Sequence, residues 1–225
     1  MRHAVLIAAL LACGSAAAQA PAYDPDQMPE FRGKVEAYKL NQRDELDGFF
    51  LEDGVEVHLS TRLSSELARA VHPGDAVTIH GLRSQDGQMV QAFSIANDAS
   101  GLKVSDAVQS VIVPGQQGYR QPIPHVLEAT GRIKRLLHGV EGEFAGVLLD
   151  DGTNVRLAQG MTGQNLSCLV PGKEIAATGT DYAGALGKVI ETRALSLITT
   201  VPGSTAGPQR CIVIPNGQPG VACRC

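Results

Sequence analysis

Aromatic residues and surplus positive charge are both scarce in this sequence. Its 225 residues contain five Phe, four Tyr and no Trp, and its 19 Lys and Arg are outnumbered by 23 Asp and Glu. Proteins that hold single-stranded nucleic acid usually combine aromatic stacking platforms with a cationic groove. A formal charge of −4 at pH 7 provides no broad basic field to attract phosphates. The composition therefore argues against nucleic acid as a partner.

The apolar run near the N-terminus is too short to span a bilayer, which needs about 20 residues. Residues 4–12 form this run, behind the short basic segment Met1-Arg2-His3 and ahead of the small residues 15–20. This is the pattern of a secretory signal peptide. Cleavage after Ala18 avoids placing Pro21 directly behind the cut. We therefore expect residues 1–20 to be a signal peptide, and the mature protein to be periplasmic or secreted.

A second interpretation of the same segment stays open. Leu10-Leu11-Ala12-Cys13 resembles a lipobox, whose cysteine would carry a lipid. The protein would then be a lipoprotein anchored through Cys13, and a membrane is a predicted partner only in that case.

Export changes what the remaining cysteines mean. Cys168, Cys211, Cys223 and Cys225 are an even number, and an oxidising compartment favours disulfides between them. A strand over 211–214 that runs into the Asn216-Gly217 turn brings Cys223 back towards Cys211, which favours the pairs Cys211–Cys223 and Cys168–Cys225. Three pairings are possible. Cys223-Arg224-Cys225 as half of a metal site is the alternative, and a single C-x-C is a poor signal for metal.

The sequence contains one segment twice, at a constant offset of 98 residues. Turn and core residues that share this offset include Gly33/Gly131, Val35/Ile133, Gly48/Gly146, Asp53-Gly54/Asp151-Gly152, Val57/Val155, Pro73-Gly74/Pro171-Gly172 and Gly81/Gly179. After Gly81 the best match shifts to an offset of 102, which aligns residues 92–95 with residues 194–197. The shift follows a predicted turn over residues 84–87, where extra residues are tolerated.

Each copy predicts five strands and one short helix. In the first copy the strands cover 31–40, 48–51, 55–59, 76–80 and 89–95. A helix over 64–71 carries Leu63, Leu67 and Val71 on one face. In the second copy the first strand opens at about residue 130 and the others cover 144–149, 153–157, 174–178 and 189–198. Residues 162–170 predict a single helical turn there. Asp-Gly pairs supply the tight turn between the second and third strands.

Three strands, a helix and two strands in about 70 residues is the element order of the OB-fold, a small Greek-key barrel. We therefore predict an all-β protein with short helices, built from two tandem OB-fold-like five-stranded barrels. The predicted segments are a leader at 21–29, the first barrel at 30–97, a linker at 98–126, the second barrel at 127–199 and a cysteine-containing tail at 200–225. An additional edge strand is possible over 108–113.

The shared pattern also resembles a known family. Its elements are G-x-V, G-x-x-L-x-D-G-x-x-V-x-L, L-x-x-x-V-x-P-G, V-x-x-x-G and A-x-x-I, over residues 30–97 and 127–199. It is similar to the OB-fold-like modules of exported bacterial proteins, domains of unknown function that occur singly or in tandem. These motifs are turn and core residues. The resemblance therefore implies the barrel and export, and it implies no catalytic residue.

Candidate ligand residues follow from the face that OB-folds commonly use, across the second and third strands. In the first copy this face offers Phe49, Phe50 and His58, but residues 30–97 carry seven Lys and Arg against eleven Asp and Glu. An acidic hairpin repels phosphate, and one of two adjacent Phe must face the core. In the second copy, alternation places Arg132 and Lys134 on one strand face, which hints at an anionic ligand.

Recognisable catalytic motifs are missing from the sequence. It has no G-x-S-x-G, no H-E-x-x-H and no glycine-rich phosphate loop. A cation site built from Glu52, Asp53, Glu56 and His58 is conceivable, but the turn already explains Asp53-Gly54. We expect no enzyme, no cofactor and no metal. The predicted function is a non-catalytic exported binding or interaction protein of the cell envelope, whose partner is an envelope protein or a small ligand. The alternative is an oligonucleotide-binding OB-fold protein.

The disulfide hypothesis has a direct test. Intact-mass spectrometry of the exported protein, alkylated with and without reductant, should show all four remaining cysteines protected until reductant is added. Four thiols that react without reductant would contradict it.

Overall fold

A computed structural model describes residues 24–106, 125–158, 166–184, 186–199 and 209–214 of the chain. Strands dominate these residues, and the single α-helix among them has seven residues. Within the described part of the chain, no helix is long and apolar enough to cross a membrane.

The first repeat folds as a closed five-stranded barrel. Its elements are β1 (Glu30–Leu40), β2 (Leu46–Leu51), β3 (Glu56–His58), α1 (Ser64–Ala70), β4 (Ala76–Arg83), β5 (Met89–Asn97) and β6 (Lys103–Ser105). β1 pairs antiparallel with β2 and β4, β2 with β3, and β4 with β5. A parallel pairing of β3 with β5 closes the barrel, and β6 adds to the free side of β5.

The second repeat has the same topology. Its elements are β7 (His125–His138), β8 (Phe144–Leu149), β9 (Asn154–Leu157), β10 (Glu174–Ala183), β11 (Lys188–Thr199) and β12 (Gln209–Ile214). β9 pairs parallel with β11, as β3 does with β5, and β12 adds to β11. The order β1-β2-β3-β5-β4 and its copy in the second repeat are those of the OB-fold. The prediction of two OB-like five-stranded barrels is therefore confirmed.

Each barrel has its own apolar core, and the repeat explains which residues fill it. Val35 and Ile133 are counterparts, as are Val57 and Val155, and all four are at most 1% exposed. The predicted helix face is confirmed, because Leu63, Leu67 and Val71 are all buried in the first core. In the second repeat, a 3-10 turn at Leu166–Cys168 stands at the place of the helix. Residues 159–165 lie outside the described residues.

The predicted offset of 102 for the last strand of each barrel is wrong by two residues. Gly81 pairs with Ala92, and its counterpart Gly179 pairs with Thr192, so the last strands align at an offset of 100. A slip of two residues keeps every side chain on its own face of the strand. The apolar pattern alone therefore does not distinguish the two registers.

The segments beyond the barrels differ in detail from the prediction. The extra strand of the first barrel is β6 at Lys103–Ser105, and the edge strand expected at 108–113 lies outside the described residues. The predicted strand of the tail is present as β12, which places Cys211 against the second core, whose buried residues include Cys168. Cys223 and Cys225 lie outside the described residues, so both predicted disulfide pairs stay predictions.

Candidate functional site

The hairpins that form the usual OB ligand face are buried on both sides. A strand with one face on a barrel core and one face in water should alternate between buried and exposed residues. In β3, however, all three residues are buried, and in β9 all four are. One face of each hairpin packs into its own barrel, and the opposite face packs against the other barrel.

A small apolar cluster forms the centre of this contact. Phe50 of β2, Leu137 of β7 and Leu148 of β8 pack together, each at most 1% exposed, and Ala37 packs against them. Phe50 therefore faces the other barrel, while its neighbour Phe49 points into the core of the first barrel. Removing these large side chains from water supplies an attraction that does not depend on salt.

A buried carboxylate lies beside this cluster. Glu56 is 2% exposed and receives hydrogen bonds from both barrels. His138 of the second barrel reaches it twice, from its backbone N at 3.1 Å and from its ring Nδ1 at 2.9 Å. Within the first barrel, Lys39 Nζ lies 3.1 Å and His58 Nε2 lies 3.0 Å from its Oε1. Lys39 Nζ also lies 3.1 Å from His58 Nδ1, which fits the tautomer in which Nδ1 accepts a hydrogen bond from Lys39 while Nε2 donates to Glu56.

These contacts shift the pKa values of the groups involved. Burial by itself raises the pKa of Glu56, but the hydrogen bonds from His138 and His58 and the charge of Lys39 outweigh it and hold the pKa far below its usual value. The hydrogen bond to Glu56 raises the pKa of His138, against the opposing effect of burial. Burial lowers the pKa of Lys39, although Asp47 and Glu56 oppose it. At neutral pH the Glu56 carboxylate is therefore charged, and its charge is balanced by the surrounding hydrogen-bond donors and by Lys39.

A second polar contact holds the hairpin of the second barrel to β1. Arg156, 4% exposed, donates from Nε to the carbonyl oxygen of Leu40 at 2.6 Å and from Nη2 to Asp47 Oδ2 at 2.7 Å. The backbone N of Leu40 donates to Asn154 Oδ1 at 3.1 Å. Both backbone groups of Leu40 are therefore satisfied by side chains of the other barrel.

At the rim of the contact, one carboxylate of the first barrel meets two cations of the second. Glu36 lies 3.1 Å from Lys134 Nζ and accepts from Arg135 Nε at 2.8 Å. Burial raises the pKa of Glu36, but these two cations lower it further than burial raises it. The Arg135 guanidinium also lies 6.0 Å from the centre of the Phe50 ring, within reach of a cation–π attraction.

The structure brings together three of the five predicted ligand residues. Phe50, His58 and Lys134 all lie at the barrel contact, where Phe50 and His58 are closed off from solvent and Lys134 is paired with Glu36. Phe49 is fully buried in the first core. Arg132 is exposed, and its Nη1 donates to the carbonyl of Gly172 of its own barrel at 2.7 Å. A ligand role for Phe50 or His58 would require the barrels to part, and all five roles stay predictions.

Several residues of the contact escaped the sequence analysis, above all Lys39, Glu36 and Arg156. Polar residues that alternate along a strand predict a solvated face, and nothing local distinguishes that face from one covered by a second domain. One signal was available. Residues 49–51 and 147–149 are uninterrupted apolar triplets, which a strand with one wet face does not need.

Two open clefts border the contact. One, of about 220 Å³, is lined by Phe50, Glu56, Lys134, Arg135, Leu136 and His138 among others. The other, of about 210 Å³, lies beside His58, Arg83 and Met89 and is edged by Leu82 and Val140, whose exposed fractions are 51% and 76%. Among the described residues, no group of three or more His, Cys, Asp or Glu is arranged to hold a metal ion.

Replacing Arg156 with alanine should destabilise the protein strongly. The change removes the hydrogen-bond donor of the Asp47 carboxylate and of the Leu40 carbonyl, and leaves Asp47 only the longer ion pair with Lys39 at 3.9 Å. Breaking a buried pair in this way costs roughly 3 kcal/mol of unfolding free energy. Arg32→Ala is the matched control, because Arg32 makes an exposed ion pair with Glu30 at 2.7 Å, worth about 1 kcal/mol or less. Urea unfolding followed by circular dichroism measures both, and equal small losses would contradict the burial of Arg156.

The Glu56–His138 contact should make stability depend on pH. Since the pKa of His138 is raised in the folded state, its stabilising effect is complete below its unfolded pKa of about 6.5 and is lost as pH rises through the folded value. The thermal midpoint of His138→Gln should therefore fall further below wild type at pH of about 5.5 than at about 8.5. In a Glu56→Gln background this pH dependence should disappear. A gap that is constant with pH in the wild-type background would refute the contact.

Comparisons with known proteins assign no family to this chain. No family model matches it, and no curated protein matches it significantly. Among solved structures, a similarity is found to a single-stranded DNA binding protein from Thermus aquaticus. It covers 79% of this chain and 95% of that chain at 13% identity, with a TM-score of 0.27.

Proposed function

We propose that this chain is a non-catalytic binding or interaction protein of the cell envelope, in which two OB-like barrels are joined into one unit. The observation that carries the proposal is the mutual burial of the β2–β3 and β8–β9 hairpins. OB-folds commonly hold oligonucleotides on this hairpin face. Here the same face holds the other barrel, so an external partner meets the rims and clefts instead.

The cleft between the barrels is the proposed binding site. It combines the partly buried apolar side chain of Leu136 with three nitrogen-bearing groups, Lys134, Arg135 and His138. Concave sites with an apolar lining and a few polar groups are typical of small-ligand sites. A carboxylate or phosphate on a ligand would compete with Glu36 for Lys134 and Arg135. The chemistry therefore suits a small anionic ligand or an acidic loop of a partner protein.

Export to the envelope is part of the same proposal. It rests on the signal-peptide pattern of residues 1–20, with anchoring through Cys13 as the alternative. The predicted disulfides of Cys168 and Cys211 would fit an oxidising compartment. Both residues pack in or against the second core, where a cross-link would tie the tail to the barrel.

Oligonucleotide binding is the second candidate function, and the OB strand order is the observation that favours it. Against it stand the acidic first barrel and the covered hairpin face. Binding on that face would need the barrels to separate and expose Phe50. It would also have to overcome the repulsion between phosphates and the negative charges of residues 30–97.

Fluorescence anisotropy of a labelled single-stranded oligonucleotide separates the two functions. With the mature protein we expect no binding at about 50 mM salt, where phosphate contacts are strongest. Micromolar or tighter binding that weakens steeply by about 200 mM salt would overturn the proposal in favour of the alternative. Arg132→Ala then tests the predicted cationic face of the second barrel, with Arg32→Ala as the control on the first.

A further inference from the structure

The contact between the barrels repeats itself under the offset of the sequence. The backbone N of Leu40 donates to the side chain of Asn154 at 3.1 Å. The residue 98 positions after Leu40 is His138, and the residue 98 positions before Asn154 is Glu56. The backbone N of His138 donates to the side chain of Glu56, also at 3.1 Å. Each of these hydrogen bonds therefore joins the counterparts of the residues that form the other, with the roles of the two barrels reversed.

Residues near the middle of the contact meet their own counterparts. Phe50 and Leu148 are related by the offset of 98, and both belong to the central apolar cluster. Glu36 and Lys134 are related in the same way, and their charged groups lie 3.1 Å apart. A residue that touches its own counterpart lies at a two-fold axis, as in the isologous interface of a symmetric dimer. The chain thus has the geometry of a dimer folded within one polypeptide.

We infer that this pseudo-dimeric face recognises the opposite barrel and rejects a second copy of its own barrel. The partner it fits is a barrel of the other repeat type, and the covalent link between the two is not needed to hold them together. The inference does not depend on which ligand the protein binds.

Charge at the axis provides the first reason. If two first barrels paired through this face, Glu36 would lie against a second Glu36. If two second barrels paired, Lys134 would lie against a second Lys134, with an Arg135 beside each. Like charges set together at an interface disfavour the wrong partner. Only the mixed pair places a carboxylate against two cations.

The polar contacts on either side of the axis provide the second reason. In a pair of first barrels, Leu40 would replace His138, so Glu56 would lose the hydrogen bond from the imidazole ring. In a pair of second barrels, the counterpart of Asp47 is Ala145, so Arg156 would be buried with no carboxylate to pair with. A buried charge without its partner is costly. Both homotypic pairs would therefore carry a defect that the mixed pair avoids.

The test uses the full chain with a protease site inserted between residues 106 and 125. After the folded protein is cut, the two fragments should elute together on size exclusion at about 10 μM, a concentration at which a specific interface of micromolar or better affinity stays mostly assembled. Native mass spectrometry should show one first-barrel fragment with one second-barrel fragment. Separate fragments, or homodimers of either one, would overturn the inference.

Charge reversal then tests the recognition itself. Glu36→Lys should weaken the association of the cut fragments about tenfold or more, because the introduced ammonium group would face the two cations Lys134 and Arg135. Glu52→Lys is the matched control, because it makes the same change on an exposed ion pair with Lys34 at 2.8 Å, outside the contact. After cleavage, the two fragments of the Glu52→Lys protein should stay associated as the wild-type fragments do.

Restoration of the opposite charges separates recognition from folding. Adding Lys134→Glu and Arg135→Glu to Glu36→Lys should return most of the lost affinity, since a cation would again face two carboxylates. Circular dichroism of each uncut protein checks that the barrels are folded. If Glu36→Lys behaves like Glu52→Lys, or if the triple variant binds no better than Glu36→Lys alone, the charges do not determine the pairing and the inference is wrong.

Discussion

The arrangement depends on one buried carboxylate, that of Glu56. A charge removed from water must be compensated by donors, and this side chain has donors from two barrels around it: Lys39 and His58 from its own, and His138 from the other. The compensation is complete only when the barrels are in contact. The same strand, β3, also closes the first barrel through its pairing with β5. The three residues of β3, Glu56–His58, therefore take part both in closing the first barrel and in its contact with the second barrel.

Apolar and polar groups have different roles at this contact. The cluster of Phe50, Leu137 and Leu148 provides attraction that is indifferent to the identity of the apolar partner. The surrounding charges provide direction and specificity, since each requires a particular group of opposite sign or a free donor opposite it. This division matches the apolar centre and polar rim of ordinary protein interfaces. Here it operates within a single chain.

The barrels were predictable from sequence because their signals are local. Asp-Gly turns, alternating apolar residues and a repeated offset all act within a few residues of one another, and the same positions recur in both copies. The packing of each barrel against the hairpin of the other was not predictable in the same way. Glu56 and His58 alternate with Val55 and Val57 as they would on a wet strand face, and the residue of the second barrel that covers Glu56 is far away in sequence.

The use of the OB hairpin face for pairing also limits what else can bind there. The two barrels belong to one chain, and a covalent link can hold two binding surfaces at an effective concentration on the order of a millimolar. A competing ligand for that face must therefore overcome both the intrinsic affinity of the barrels and this concentration. At the rims and clefts a ligand competes with fewer contacts, such as the pairing of Glu36 with Lys134 and Arg135. In a tandem OB protein of this kind, the surface that is most conspicuous in the fold is the one least available to a partner, and functional residues are better sought around its border.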